Sequence, residues 1–307
     1  MRSGAWKWLQ AVLVVVAIVA VGRALWVNWD DVRKSPVQLA FRPGWIVLSL
    51  GATWAMYAAL VEGWRRLVVG WGETLPWFAA ARIWILASIA AFVPGRVWGL
   101  AGMAILSERA GARSSVTVGA AIVMQVLAIG TGIGVAAIAV GPELRALRPE
   151  AGTAMTIVGV LAILSVAILH QGGALRLLWR VAGRTDPPPQ PPGWGALVEA
   201  ALVNTVSWLG YGVALWALAR GILTGVDLSL RVAIGAFAVS YIAGYLVVFT
   251  PGGLGVREVF MVGVLTPSLG PQSAIALSVA SRLAIIVNQA VAAAPFLRSR
   301  ESVRDRT

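Results

Sequence analysis

Four arginines of this 307-residue sequence lie inside the apolar segments or at the breaks in them. They are Arg82, Arg96, Arg257 and Arg282, and Glu258 is the only acidic residue among them. An arginine at the centre of a bilayer costs at least ~2.5 to 3.5 kcal/mol on insertion scales, so it normally faces a cavity or a partner. Because one carboxylate cannot neutralise four guanidinium groups, the surplus positive charge predicts an anionic ligand or lipid phosphates.

Two glycine-rich turns beside these arginines predict the same chemistry. The turns are Pro94-Gly-Arg-Val-Trp-Gly99 and Pro251-Gly-Gly-Leu-Gly-Val-Arg-Glu258. In each, proline ends one helix, glycines permit a tight turn, and the next helix begins with free backbone N–H groups. Such N–H groups at a positive helix end, together with an arginine, form a phosphate site. The candidate substrate-binding residues are Arg82, Arg96, Arg257, Glu258, Arg282, Gly95, Gly252, Gly253 and Gly255.

A purely structural alternative remains open for both turns. Pro-Gly can simply kink a helix, and Arg257 can simply pair with Glu258, its neighbour in sequence.

The composition is that of a helical membrane protein. Hydrophobic residues make up 59% of the chain and charged residues 12%, against roughly a quarter charged in soluble domains. The net charge of +12 falls mostly in loops and tails beside apolar runs, which indicates lipid headgroups rather than nucleic acid as the partner. With no cysteine and only His170, we expect no metal site and no cofactor.

The apolar runs predict an all-α polytopic protein with about eight spans. A helix needs about 20 residues to cross the hydrocarbon core. Two shorter pieces, residues 97–106 and 259–265, follow the Pro-Gly turns and are better read as re-entrant arms. The eight longer runs cover residues 8–27, 45–61, 77–93, 115–140, 151–169, 196–219, 232–250 and 273–297.

The order of the runs divides the chain into two related halves. The pattern Phe-x-Pro-Gly recurs after 157 residues, and each copy follows a run and precedes a short arm, a loop and another span. A basic amphipathic segment and a proline-rich linker lie between the halves. We therefore predict an N-terminal half (residues 1–171, hairpin 77–107), a cytoplasmic linker (172–195) and a C-terminal half (196–307, hairpin 232–266).

Charge counting predicts that both termini are cytoplasmic. In this orientation thirteen Lys and Arg residues lie inside and eight lie outside. The first hairpin then enters from the cytoplasm and the second from outside, so the halves are inverted repeats, as in many secondary transporters.

At Pro251 to Glu258, preceded by Phe249, the chain resembles the lysylphosphatidylglycerol synthase transmembrane family, a family of flippase-like bacterial membrane proteins. Residues 88–98, with the sequence Ser-Ile-Ala-Ala-Phe-Val-Pro-Gly-Arg-Val-Trp, look like that family's first Pro-Gly element. The resemblance implies paired re-entrant hairpins, a bacterial cytoplasmic (inner) membrane location and movement of a lipid between leaflets. Residues 99–104 depart from the commoner pattern, because they contain no acid or arginine.

These observations lead to one main hypothesis, a flippase or lipid transporter. An arginine-rich, acid-poor site suits an anionic phosphate-headed lipid: a polyprenyl phosphate, a polyprenyl-phosphate sugar or a phospholipid. We expect no enzymatic activity, because no convincing catalytic constellation is present. The alternatives are a membrane glycosyltransferase using a lipid-phosphate sugar donor, suggested by Asp30 and Asp31 in a loop, and a non-transporting scaffold of a lipid-synthesis complex.

Overall fold

The computed structural model describes residues 39–90, 97–147, 150, 153, 157, 159–160, 176, 180, 193–225, 227–246 and 253–298. Within these ranges the chain is helical, apart from turns and one isolated antiparallel bridge between Leu39 and Leu223. The helices are α1 (Pro43–Gly70), α2 (Trp77–Ala90), α3 (Val97–Arg109), α4 (Ser114–Leu147), α5 (Trp194–Ile222), α6 (Leu230–Leu246) and α7 (Val256–Arg298).

Four of these helices are long and apolar enough to cross a membrane: α1, α4, α5 and α7. The shorter apolar helices α2 and α6 have 14 and 17 residues. The predicted all-helical membrane class is therefore confirmed for the described part of the chain. The count of eight spans stays a prediction, because the run 8–27 and most of the run 151–169 lie outside the described residues.

Helices α1 and α5 pack against each other in antiparallel orientation. The hydroxyl of Ser49, early in α1, donates a 2.7 Å hydrogen bond to a carbonyl late in α5, at Ala214. At the other end, Arg66 forms an ion pair with Glu199, close to the start of α5. Glycines bring the two backbones together between these points, since small residues allow close helix contact. A Cβ atom on Gly210, for example, would lie 2.3 Å from the sulfur of a methionine in α1.

Helices α4 and α6 form a second antiparallel pair that also depends on small residues. A Cβ atom on Gly132 would lie 2.9 Å from Ile242, and one on Gly235 would lie 2.3 Å from Val140. The middle of α4 therefore lies beside the late part of α6, and the late part of α4 lies beside the early part of α6. This contact joins the two halves of the described structure.

Helices α2 and α3 form a short hairpin whose two open ends meet. Arg113, just after α3, forms an ion pair with Glu73, just before α2. The Arg113 guanidinium also donates to the carbonyl of Trp71 at 3.5 Å. The chain therefore enters and leaves the hairpin at the same end of the helical bundle, next to the end of α1.

Helix α7 contains a sharp kink at Gly270, which has φ 74° and ψ 160°. The first segment, residues 256–269, packs with α6, and the second, residues 271–298, is long and apolar. We predicted a loop between the short arm and the last span, and this was wrong. A single glycine with positive φ, followed by Pro271, changes the chain direction without an intervening loop.

Candidate functional site

The second glycine-rich turn is held by close backbone contact and by a side-chain cap. Gly253 and Gly255 have φ angles of +72° and +84°, which glycine adopts readily. A Cβ atom on Gly253 would also lie 2.9 Å from the backbone of Gly244 in α6. The Glu258 carboxylate accepts a 2.7 Å hydrogen bond from the N–H of Gly255 and so caps the start of α7. The positive φ angles and the close contact with α6 therefore explain why glycine occupies two positions of the predicted turn.

Arg257 follows this turn and is buried against aromatic rings of α6. Only 5% of the residue is exposed. Its guanidinium carbon lies 5.2 Å from the ring centroid of Phe237 and 5.1 Å from that of Tyr241, which are cation–π distances. The Nη2 atom is buried and has no hydrogen-bond partner. Arg257 therefore carries an unused donor in a buried, aromatic environment.

Further tyrosines surround the same guanidinium. Tyr57 of α1 and Tyr211 of α5 lie within electrostatic range of Arg257, and their rings are 6.1 Å apart. The Tyr211 ring in turn stacks on Phe237 at 5.1 Å. Gln289 of α7 contacts the Tyr57 hydroxyl, and the Oε1 atom of Gln289 has no hydrogen-bond partner.

The tyrosines also fix the depth of the site. Tyr57 is the fifteenth of the 28 residues of α1, and Tyr211 is the eighteenth of the 29 residues of α5. At 1.5 Å per residue, Tyr57 is about 20 Å from either end of its helix. The cluster therefore lies near the middle of the long helices.

Arg282 and Glu258 complete the charges of the cluster. The nearest atoms of their side chains are 3.8 Å apart, and these side chains are 11% and 19% exposed. Arg257 lies close enough to interact electrostatically with both. The ion pair of Glu258 is thus with Arg282 rather than with its sequence neighbour Arg257. Two guanidinium groups lie near one carboxylate, which gives the described residues of this cluster a net charge of +1.

Of the other predicted site residues, one lies in a separate pocket and the rest lie outside the described residues. Arg82 of α2 lines a separate pocket with Arg109 at the end of α3. The structure therefore brings together Arg257, Glu258 and Arg282, with Gly253 and Gly255 at the adjacent turn, but not Arg82. Outside the described residues lie Gly95, Arg96, Gly252, Asp30, Asp31 and most of the linker 172–195.

The aromatic part of the cluster did not emerge from the sequence reasoning. The chain has only four tyrosines, and three of them, Tyr57, Tyr211 and Tyr241, lie close enough to Arg257 to interact with it electrostatically. The fourth, Tyr245, lines a small pocket with Tyr241, Trp208 and Gln125. The scarcity of tyrosine and its occurrence inside apolar runs were the available signals.

The fold and the cluster define a polytopic helical membrane protein with a buried cationic site. The family model for the lysylphosphatidylglycerol synthase TM region matches residues 8–293, and the chain belongs to this family. The resemblance inferred from the Pro-Gly motifs is thereby confirmed. Membership indicates a function related to membrane lipids. No curated protein matches the sequence.

Proposed function

We propose that this protein moves a lipid with an anionic phosphate headgroup between the two leaflets of the membrane. The candidate lipids are a polyprenyl phosphate, a polyprenyl-phosphate sugar and a phospholipid. The headgroup binds at the cluster of Arg257, Arg282 and Glu258, while the hydrocarbon tail stays in the surrounding lipid. The protein carries out this movement without making or breaking covalent bonds.

The buried guanidinium of Arg257 is the observation that carries the proposal. It lies near the middle of the long helices α1 and α5, is 5% exposed and keeps an Nη2 donor without a partner. A buried donor left unsatisfied costs about 1 to 3 kcal/mol, and more when it is charged. A phosphate oxygen would satisfy this donor and neutralise the net charge of the cluster. The site is therefore electrostatically suited to an anion and unsuited to a cationic headgroup.

The order of the helices supports a design of two inverted repeats. In α1 to α4 the order is one long helix, two short helices and one long helix, and α5, α6 and the two segments of α7 repeat it. The 157-residue offset between the Pro-Gly motifs relates Ser114, the first residue of α4, to Pro271, directly after the kink. The leading helices α1 and α5 are antiparallel, as inversion requires. The repeat relates α2 to α6, and α4 to the second segment of α7. The contact between α4 and α6 therefore has a counterpart in the contact between α2 and α7.

The contacts at the helix ends support the re-entrant interpretation and the orientation. Since Arg113 pairs with Glu73, the α2–α3 hairpin enters and leaves at one end of the bundle. Helix α6 begins near the end of α5. Because α1 and α5 are antiparallel, this point lies at the opposite end of the bundle from the open end of the α2–α3 hairpin. We assign the end with Arg65, Arg66, Arg109 and Arg113 to the cytoplasm by the positive-inside rule, with both termini on this side. The two hairpins then enter from opposite faces, and alternating access follows from rocking of the halves.

Transport can be tested in liposomes that contain the purified full-length chain and fluorescently labelled lipids. Chemical quenching of the outer leaflet measures the fraction of label that crosses the membrane with time. We expect labelled phosphatidylglycerol or polyprenyl phosphate to move faster in protein-containing vesicles than in empty ones. Arg257→Gln should slow this movement at least tenfold, because it removes a charged hydrogen bond worth about 1.5 to 3 kcal/mol.

The matched control is Arg220→Gln. Arg220 also lies over two aromatic rings, with its guanidinium carbon 4.4 Å from Trp216 and 5.5 Å from Trp45, but it is near the end of α5. This variant removes the same charge far from the cluster and should transport like the wild type. Equal rates for wild type and Arg257→Gln would contradict the proposed role of the cluster.

A further inference from the structure

A second arginine pair lines a pocket between the two helices of the first hairpin. The pocket has a volume of about 100 Å³ and is lined by Arg82 and Ala79 of α2, Arg109 of α3, and three further residues, Ile83, Leu106 and Ala110. Four of its six lining residues are apolar and both others are arginines. The Nε atom of Arg82 is buried and has no hydrogen-bond partner. Two cations therefore face one small pocket, and no acidic side chain among the described residues lines it.

The pocket lies close to the surface end of the hairpin. Arg82 is five residues after Trp77, the first residue of α2, and Arg109 is the last residue of α3. At 1.5 Å per residue, the backbone of Arg82 is only about 8 Å below the start of its helix. Helical side chains tilt towards the helix N-terminus, so the Arg82 side chain leans towards this surface. An arginine this close to the end of an apolar helix can place its guanidinium among lipid phosphates.

The surroundings favour a lipid over a free anion. Phe78 precedes Arg82 by four residues and is 76% exposed, and Ile105 precedes Arg109 by four residues and is 52% exposed. Residues four apart share a helix face, so each arginine adjoins an exposed apolar side chain. A phospholipid supplies both an anionic phosphate for the pocket and acyl chains for these side chains.

We propose that the pocket of Arg82 and Arg109 binds the phosphate of an anionic phospholipid from the leaflet at the open end of the α2–α3 hairpin. This site is separate from the cluster around Arg257 and does not depend on transport. The nearby Arg113 does not belong to it, because its guanidinium is engaged by Glu73.

Binding can be measured by native mass spectrometry of the full-length chain in detergent, titrated with phosphatidylglycerol. Arg82→Gln and Arg109→Gln should each weaken the binding of one phosphatidylglycerol molecule by about tenfold, as expected for the loss of one charged hydrogen bond. Arg109→Gln changes a residue at the exposed end of a helix, so the test does not rely on Arg82 alone. The matched control is Arg113→Gln, which removes the same charge at the same end of the bundle and should leave this binding unchanged.

Two further measurements separate the possible ligands and the two sites. Inorganic phosphate at millimolar concentration should not displace phosphatidylglycerol, and complete displacement would overturn the lipid assignment in favour of a free-phosphate pocket. In the Arg257→Gln protein, the binding that is sensitive to Arg82 should persist, and its loss there would overturn the claim of a separate site. Unchanged binding in both pocket variants, or an equal loss in Arg113→Gln, would overturn the proposal as a whole.

Discussion

Replacing Arg257 by methionine distinguishes a ligand-binding arginine from a structural one. The substitution keeps most of the side-chain volume and removes the charge. In the ligand-free protein, burial of the cation costs at least ~2.5 to 3.5 kcal/mol, whereas two desolvated cation–π contacts return about 2 kcal/mol each. Because these contributions differ by no more than about 1.5 kcal/mol, the free energy of unfolding should change by about 1.5 kcal/mol at most.

A structural ion pair would behave differently. Breaking a buried salt bridge usually costs about 3 to 5 kcal/mol, because it leaves an uncompensated charge. Arg282→Met provides this comparison within the same cluster, since it removes the ion-pair partner of Glu258. We therefore expect Arg282→Met to lower the free energy of unfolding more than Arg257→Met does.

The assay is reversible unfolding in mixed micelles, with and without anionic lipid. A ligand present at about 100 times its Kd stabilises the folded state by about 2.7 kcal/mol. The wild type should gain this stabilisation from the transported lipid, and Arg257→Met should lose most of it. A fall of 3 kcal/mol or more in the lipid-free Arg257→Met protein would refute the reasoning, because Arg257 would then be a structural residue.

Two other substitutions test the packing and the charge balance. Gly212→Ala should lower the thermal unfolding midpoint, because the added Cβ would lie 2.5 Å from the backbone of Ile234, whereas the control Gly263→Ala has no atom within 4 Å and should raise the midpoint slightly. An equal midpoint for both alanine variants would contradict the close contact of α5 and α6. Glu258→Gln keeps an oxygen for the helix cap but removes the carboxylate beside Arg282, so binding of labelled phosphatidylglycerol in detergent should become about tenfold tighter. Weaker binding would count against an anion-binding cluster.

The part of the site that could be predicted from sequence is the part fixed by local chemistry. Pro251 cannot continue a helix and the glycines after it can adopt positive φ angles, so a turn followed by a helix start could be predicted around Gly253 and Gly255. An arginine in the first turn of that helix is necessarily close to the turn. For the same reason, the helix cap by Glu258 depends only on residues three positions apart.

The remaining features depend on how distant helices pack, which a single sequence does not specify. Arg82 and Arg257 look alike in the sequence, because each is a cation inside an apolar run, yet they line different sites. The side chains around Arg257 come from α1, α5 and α6, and only the tertiary structure brings Tyr57 and Tyr211 to it. The all-helical class could be predicted because runs of apolar residues directly reflect the thickness of the bilayer.

The kink at Gly270 has a mechanical consequence for the cluster. Arg257 and Arg282 lie on opposite sides of this one residue, within a single helical element, and the Glu258–Arg282 ion pair bridges the two arms. Any rotation at this pivot changes the spacing of the two guanidinium groups and therefore the local electric field. Under the proposed function, rotation of the shorter segment of α7 about Gly270 strengthens or weakens binding of the anionic headgroup at this cluster.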